Sequence, residues 1–177
     1  HEASIITAQI CKALEAAHAV GVIHRDLKPS NVLIQLGKNG SPDDEPPSFR
    51  QGLAVRVVDF GLAKMIHGET TGTLLTEHDM IFGTPAYMSP EQVRGDELDA
   101  RCDVYAVAIM FYEMIVGAVP FDSMGGPLAT MTAHLNEPVK PPGSMAPEQN
   151  IPADIDRTVM CALSKERLDR FDSVGKF

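Results

Sequence analysis

Two short stretches of this sequence gather residue types that could do chemistry. The first is His24-Arg25-Asp26-Leu27-Lys28-Pro29-Ser30-Asn31. A carboxylate at Asp26 can accept the proton of a hydroxyl as its oxygen attacks, and the amide oxygen of Asn31, five residues on, can bind Mg²⁺. Lys28 puts a positive point charge beside them. The second stretch, Asp59-Phe60-Gly61, adds another carboxylate at the end of a valine-rich run. Together the two stretches supply a base, a cation and oxygen donors. Taken singly, Asp26 and Asn31 could equally be turn formers around Pro29.

Elements on either side must hold these residues. From Ser4 to His18 the apolar Ile6, Ile10, Ala13, Leu14 and Ala17 recur at helical spacing, and Gly21 follows where a left-handed cap is expected. Val22-Ile23 and Val32-Leu33-Ile34 read as two small strands around the first stretch. Residues 35–54, with Asp43-Asp44-Glu45-Pro46-Pro47, read as a flexible solvated insertion. Val55, Val57 and Val58 restore a strand that runs into Asp59, and a long adaptable loop extends from there to about Thr84. Asp103 to Val116 is apolar nearly all round, which predicts a buried central helix ended by Gly117. Weaker helices are expected over Leu128 to Asn136 and Asp154 to Leu163. The expected fold is mainly α with a few short β-strands, its helices packed around one central buried helix.

Composition narrows the function classes. A chain of 177 residues suits one domain, and 44% apolar with 22% charged residues is ordinary for a globular protein. A net charge of -9, without clustered Lys and Arg, argues against nucleic acid as partner. Three widely spaced cysteines suggest neither a disulfide framework nor a zinc site, so a reducing, cytoplasmic setting is expected. The longest apolar stretch, Val104 to Tyr112, is far short of the roughly 20 residues of a membrane span. Any membrane anchor would lie outside this sequence. The chain opens on His1 rather than Met, so the natural start is expected upstream. Met110 and Met114 read as core fillers, and His67 and His78 lack ligand spacing.

A third stretch, Gly83-Thr84-Pro85-Ala86-Tyr87-Met88-Ser89-Pro90-Glu91, completes a pattern. Together the three resemble the catalytic loop, metal-binding motif and activation-segment end of serine/threonine protein kinases, most closely the bacterial eukaryotic-like (Hanks-type) ones. The resemblance implies a kinase C-terminal lobe over residues 1–177, with an activation segment at 59–91 and the N-terminal lobe absent from the sequence. It implies Asp26 as catalytic base, Lys28 beside the transferring phosphoryl group, and Asn31 and Asp59 as ligands of Mg²⁺ and the ATP phosphates, with Mn²⁺ as an alternative ion. Thr84 would hydrogen-bond Asp26 and Lys28, Phe60 would pack on His24, and Gly61 would take an unusual backbone torsion. Asp103 would anchor the catalytic-loop backbone, and Glu91 would pair with Arg170. Arg25 would hold a phosphate on the activation segment, with Thr76 the expected phosphorylation site.

Implied partners are protein substrates bearing Ser or Thr, the N-terminal lobe of the same chain, and a second kinase molecule for autophosphorylation. Ser89, Ala108 and Arg167 depart from the family's usual Ala, Gly and Pro. The alternatives are a pseudokinase or scaffold of the same fold, and a small-molecule phosphotransferase. The intact Asp26, Lys28, Asn31 and Asp59 weigh against the first, and the Gly83–Glu91 platform against the second. Without an N-terminal lobe to clamp ATP, residues 1–177 alone are expected to have negligible activity and to expose an apolar face.

Overall fold

The computed structural model describes residues 2–35, 53–60, 84–122 and 125–177. Gly61 and Thr76, and with them most of the expected insertion and adaptable loop, lie outside the described residues.

Helix α1 spans Glu2–His18 and buries Ile6, Ile10 and Leu14 on one stripe. It ends in a Schellman motif: Gly21, at φ +77°, donates to His18 O, and Val22 N donates to Ala17 O. This cap corrects the strand expected at Val22-Ile23. The backbone N–H of Val22 closes the helix and is not free to join a ladder.

Strand β1 (Val32–Gln35) pairs antiparallel with β2 (Ala54–Val57), Val32 facing Val57 and Gln35 facing Ala54. The expected insertion therefore loses both its end residues to the ladder. Gln9 of α1 clips this pair to the helix, donating to Leu53 O at 3.2 Å and accepting from Val55 N at 3.0 Å. Leu33 and Ile34 stay 53% and 48% exposed, an apolar edge of the kind expected where a further lobe would sit.

A short helix α2, Pro90–Arg94, is followed by α3, Arg101–Val116. Every residue of α3 from Cys102 to Tyr112 is buried, which makes it the axis of the core, and Gly117 ends it at φ +85°. Met114, expected as core filler, is instead 38% exposed, because α3 emerges from the core in its last turn. Among the described residues three further helices follow: α4 (Pro127–Asn136), α5 (Pro142–Met145) and α6 (Ala153–Ala162). Helices α1 and α6 pack on α3, so Ile10, Leu14, Ile109 and Val159 share one fully buried cluster. Truncating such a residue, as in Ile109→Ala, costs about 2–5 kcal/mol. Among the described residues no helix is long and apolar enough to cross a membrane.

Candidate active site

Asp26, Lys28 and Asn31 lie on the loop that joins α1 to β1. A 3₁₀ turn over Pro29–Asn31 reverses the chain, with Pro29 at the position where a missing N–H costs nothing. The turn brings Lys28 Nζ to 3.0 Å from Asp26 Oδ2, so cation and carboxylate form a half-buried pair. Asn31, itself buried, donates from Nδ2 to the Asp26 carbonyl at 2.8 Å. With Nδ2 committed to that carbonyl, Oδ1 is the side-chain atom left to accept or to ligate.

The strand pair brings the second stretch to the first. Because Val32 faces Val57, the residues just outside the ladder also meet, and Val58 N donates to Asn31 O at 2.9 Å. Asp59 follows directly, so Asn31 and Asp59 leave the same end of the pair. Asp59 is exposed and holds φ +57°, a left-handed conformation costly for a non-glycine residue.

His24 joins both stretches. Its ring is fully buried; Nδ1 accepts from Asp26 N at 3.3 Å, which leaves the proton on Nε2 to donate to Val58 O at 2.9 Å. Phe60 lies against the same ring, centroids 4.8 Å apart. One imidazole thus ties the backbone of Asp26 to the residue before Asp59.

Asp103, in the first turn of α3, fixes the loop entrance. It accepts from His24 N at 2.8 Å and from Arg25 N at 3.0 Å, the anchoring expected of it. Arg25 sits at φ +66°, and its carbonyl accepts from Gln92 Nε2 at 2.6 Å. Both of its peptide groups are therefore clamped, which holds the strained torsion in place. The Arg25 side chain lines a cleft with Asp26, Lys28, Thr84 and Tyr87, and no carboxylate pairs with it among the described residues. The expected phosphate partner, Thr76, is outside the described residues.

Thr84 departs from expectation. It lines that cleft, but no hydrogen bond joins it to Asp26 or Lys28 among the described residues. The physical reason is local: Thr84 is exposed and held extended by the proline after it. Tyr87, closing the 3₁₀ turn Pro85–Tyr87, donates to Glu113 Oε2 at 2.7 Å and so fastens this wall to α3.

Glu91 and Arg170 meet in a bidentate pair, both contacts at 2.7 Å, with side chains 4% and 0% exposed. Arg170 also donates to the carbonyls of Ser164, Lys165 and Arg101 and stacks over Tyr105, so its buried charge is well satisfied. Arg167, where a proline was usual, forms a 3₁₀ turn with Leu168 and Asp169 and donates to Glu97 O.

Three positioning residues escaped the sequence reading. His18, whose Nε2 lies 2.8 Å from Asp103 Oδ2, falls on the Ile10, Leu14 stripe of α1, and a histidine at that spacing was the available signal. Gln92 was legible as the far end of the Ser89-x-x-Gln92 capping box, where its Oε1 accepts from Ser89 N. Gln9 carries no signal that distinguishes it from any surface glutamine.

Among the described residues no cluster of three or more His, Cys, Asp or Glu could hold a metal ion. Asn31 and Asp59 offer only oxygen donors, the type that Mg²⁺ takes together with waters and substrate phosphates, and they are the residues that would hold such an ion. The fit rests on the orientation of Asn31, whose amide nitrogen is committed to Asp26.

Comparison with known proteins agrees with this geometry. Residues 1–171 match the protein kinase domain family. The chain is 40% identical over 172 residues to serine/threonine-protein kinase pkn3 of Myxococcus xanthus, covering 97% of this chain and 29% of that protein. It is 36% identical to Pkn1 of the same organism, covering 97% of this chain and 22% of that protein. Identity to PknB of Mycobacterium tuberculosis is 34%, over 97% of this chain and 24% of that protein. The chain thus spans less than a third of the length of these curated relatives. With the protein kinase match running from the first residue to beyond the Glu91–Arg170 pair, this chain belongs to the protein kinase domain family, of the bacterial Hanks type.

Proposed function

We propose that the protein carrying this chain transfers the γ-phosphoryl group of ATP to Ser or Thr hydroxyls of other proteins. The observation that carries this reading is the His24 bridge, which ties Asp26 to the segment entering Asp59. Asp26 takes the proton of the attacking hydroxyl, and Lys28, now 3.0 Å away, sits where it can neutralise charge on the moving group. Asn31 and Asp59 would hold Mg²⁺, which would supply positive charge to neutralise the nucleotide phosphates. Arg25, clamped at both peptide groups and without a carboxylate partner among the described residues, receives an activating phosphate such as one on Thr76. The half-exposed Leu33 and Ile34 are covered by the ATP-gripping lobe of the whole protein.

The test is phosphate incorporation by the full-length protein, supplied with γ-labelled ATP, Mg²⁺ and a mixed Ser/Thr acceptor protein. Phosphoserine or phosphothreonine that disappears with chelator is expected. ATP binding without transfer would instead favour the scaffold reading.

A further inference from the structure

Between α4 and α5 the chain runs through Glu137-Pro138-Val139-Lys140-Pro141-Pro142. A proline ring fixes φ at about −65°, and the residue before a proline is driven to an extended ψ. Glu137 (φ −85°, ψ 135°) and Pro141 (φ −56°, ψ 138°) accordingly hold polyproline II torsions. Val139 N and Lys140 N donate to no backbone carbonyl among the described residues, as suits a helix without internal hydrogen bonds.

Burial along the segment repeats every three residues, which is the period of that helix. Val139 is half-buried against the hydrophobic core, and three positions on Pro142 is buried. Glu137, Pro138, Lys140 and Pro141 are all exposed. One edge of a three-sided helix therefore rests on its own protein. The other two present the dipeptides Glu137-Pro138 and Lys140-Pro141 to solvent, one turn or about 9 Å apart. Val139, the single residue between them, is turned inward.

A groove lined by aromatic side chains takes such a Pro-x-x-Pro segment by its exposed proline-bearing edges. Here the third edge is already fixed to the core, so little conformational freedom remains to be lost on docking. Lys140 makes no hydrogen bond or ion pair among the described residues, which leaves its ammonium for a carboxylate of the partner. None of the six residues lines the cleft of Asp26.

We propose that Glu137 to Pro142 is a docking segment for a partner protein whose groove is lined by aromatic side chains and carries a carboxylate opposite Lys140. The segment stands apart from the reacting residues, so this inference does not rest on the kinase reading.

The probe is a set of purified SH3 domains that bind Pro-x-x-Pro peptides and carry acidic residues beside the aromatic groove, titrated against immobilised full-length protein. Wild type is compared with Pro138→Ala/Pro141→Ala, with Lys140→Glu, and with Lys12→Glu, which reverses an exposed lysine on α1. At least one domain is expected to bind wild type with a Kd below about 100 μM; the double proline variant should weaken it at least about tenfold and Lys140→Glu about threefold to tenfold, while Lys12→Glu changes it less than about twofold. All the replaced side chains are exposed, so the variants should melt as wild type does. Should the double proline variant melt early, Lys140→Glu against Lys12→Glu decides. No binding by any domain at about 1 mM, undiminished binding to a folded double proline variant, or equal losses in Lys140→Glu and Lys12→Glu overturns the proposal.

Discussion

His18 Nε2 lies 2.8 Å from Asp103 Oδ2, the same oxygen that accepts from His24 N at 2.8 Å. The last turn of α1, the first turn of α3 and the entrance to the catalytic loop are therefore fastened to one buried carboxylate. Its other oxygen holds Arg25 N in a left-handed conformation. Asp103→Asn keeps the shape but exchanges one acceptor oxygen for a donor. At least one buried N–H is then left open, at about 1–3 kcal/mol. The urea midpoint of the full-length protein should fall accordingly, and kcat should drop at least about tenfold as the Asp26 backbone loosens. A wild-type midpoint in Asp103→Asn would show that the carboxylate is not the anchor.

The Glu91–Arg170 pair should behave as a buried ion pair, not as a surface one. Removing one partner, as in Arg170→Met, strands the other charge and is expected to cost about 3–5 kcal/mol. Replacing both, Glu91→Leu with Arg170→Met, should recover part of that loss. Arg170→Lys should not rescue, because a single ammonium cannot reproduce two parallel contacts and three carbonyl bonds. Thermal melts of the three variants check the order.

A pH dependence follows from His134. Burial, and secondarily the Lys165 cation, lower its pKa from 6.5 to about 4. The unfolded chain therefore takes up this proton at a higher pH than the folded one. The stability tied to the neutral ring is complete above about pH 6.5 and is lost as pH falls towards 4, on the order of 3 kcal/mol in all. Melting temperature should fall across that window, and the fall should be shallower in His134→Phe. Equal slopes in the two proteins would remove the ring as its source.

Gln92→Ala should act on the loop with little effect on the core. It releases the Arg25 carbonyl and half the α2 capping box, for about 1–2 kcal/mol, and frees the strained torsion beside Asp26. Activity should fall several-fold, and Gln92→Glu should not restore it, since a carboxylate cannot donate to that carbonyl.

Much of this site could be read from the sequence because its chemistry sits in contiguous motifs with their own turn and strand signals. Asp26, Lys28 and Asn31 are arranged by Pro29, and Asp59 is delivered by a valine-rich strand. The long-range partners Asp103 and Arg170 were reached only through family resemblance, since nothing local marks an aspartate at a helix start as an anchor for residues 79 and 78 positions away. What was missed failed for physical reasons. The strand expected at Val22-Ile23 gave way to a helix cap that competes for the same backbone N–H. Thr84 stands exposed and extended before Pro85, and its expected bonds to Asp26 and Lys28 are not made among the described residues. Gln9 and Gln92 act across distances that no periodicity encodes.

The central claim is that Asp26 is the base of a phosphoryl transfer to a hydroxyl. Steady-state kinetics of the full-length protein and its Asp26→Asn variant test it most directly, with ATP and acceptor peptide varied separately. The account predicts a kcat at least about a hundredfold lower, with the KM for ATP within about twofold of wild type. A variant that turns over within threefold of wild type would contradict it, because the asparagine amide cannot take the hydroxyl proton.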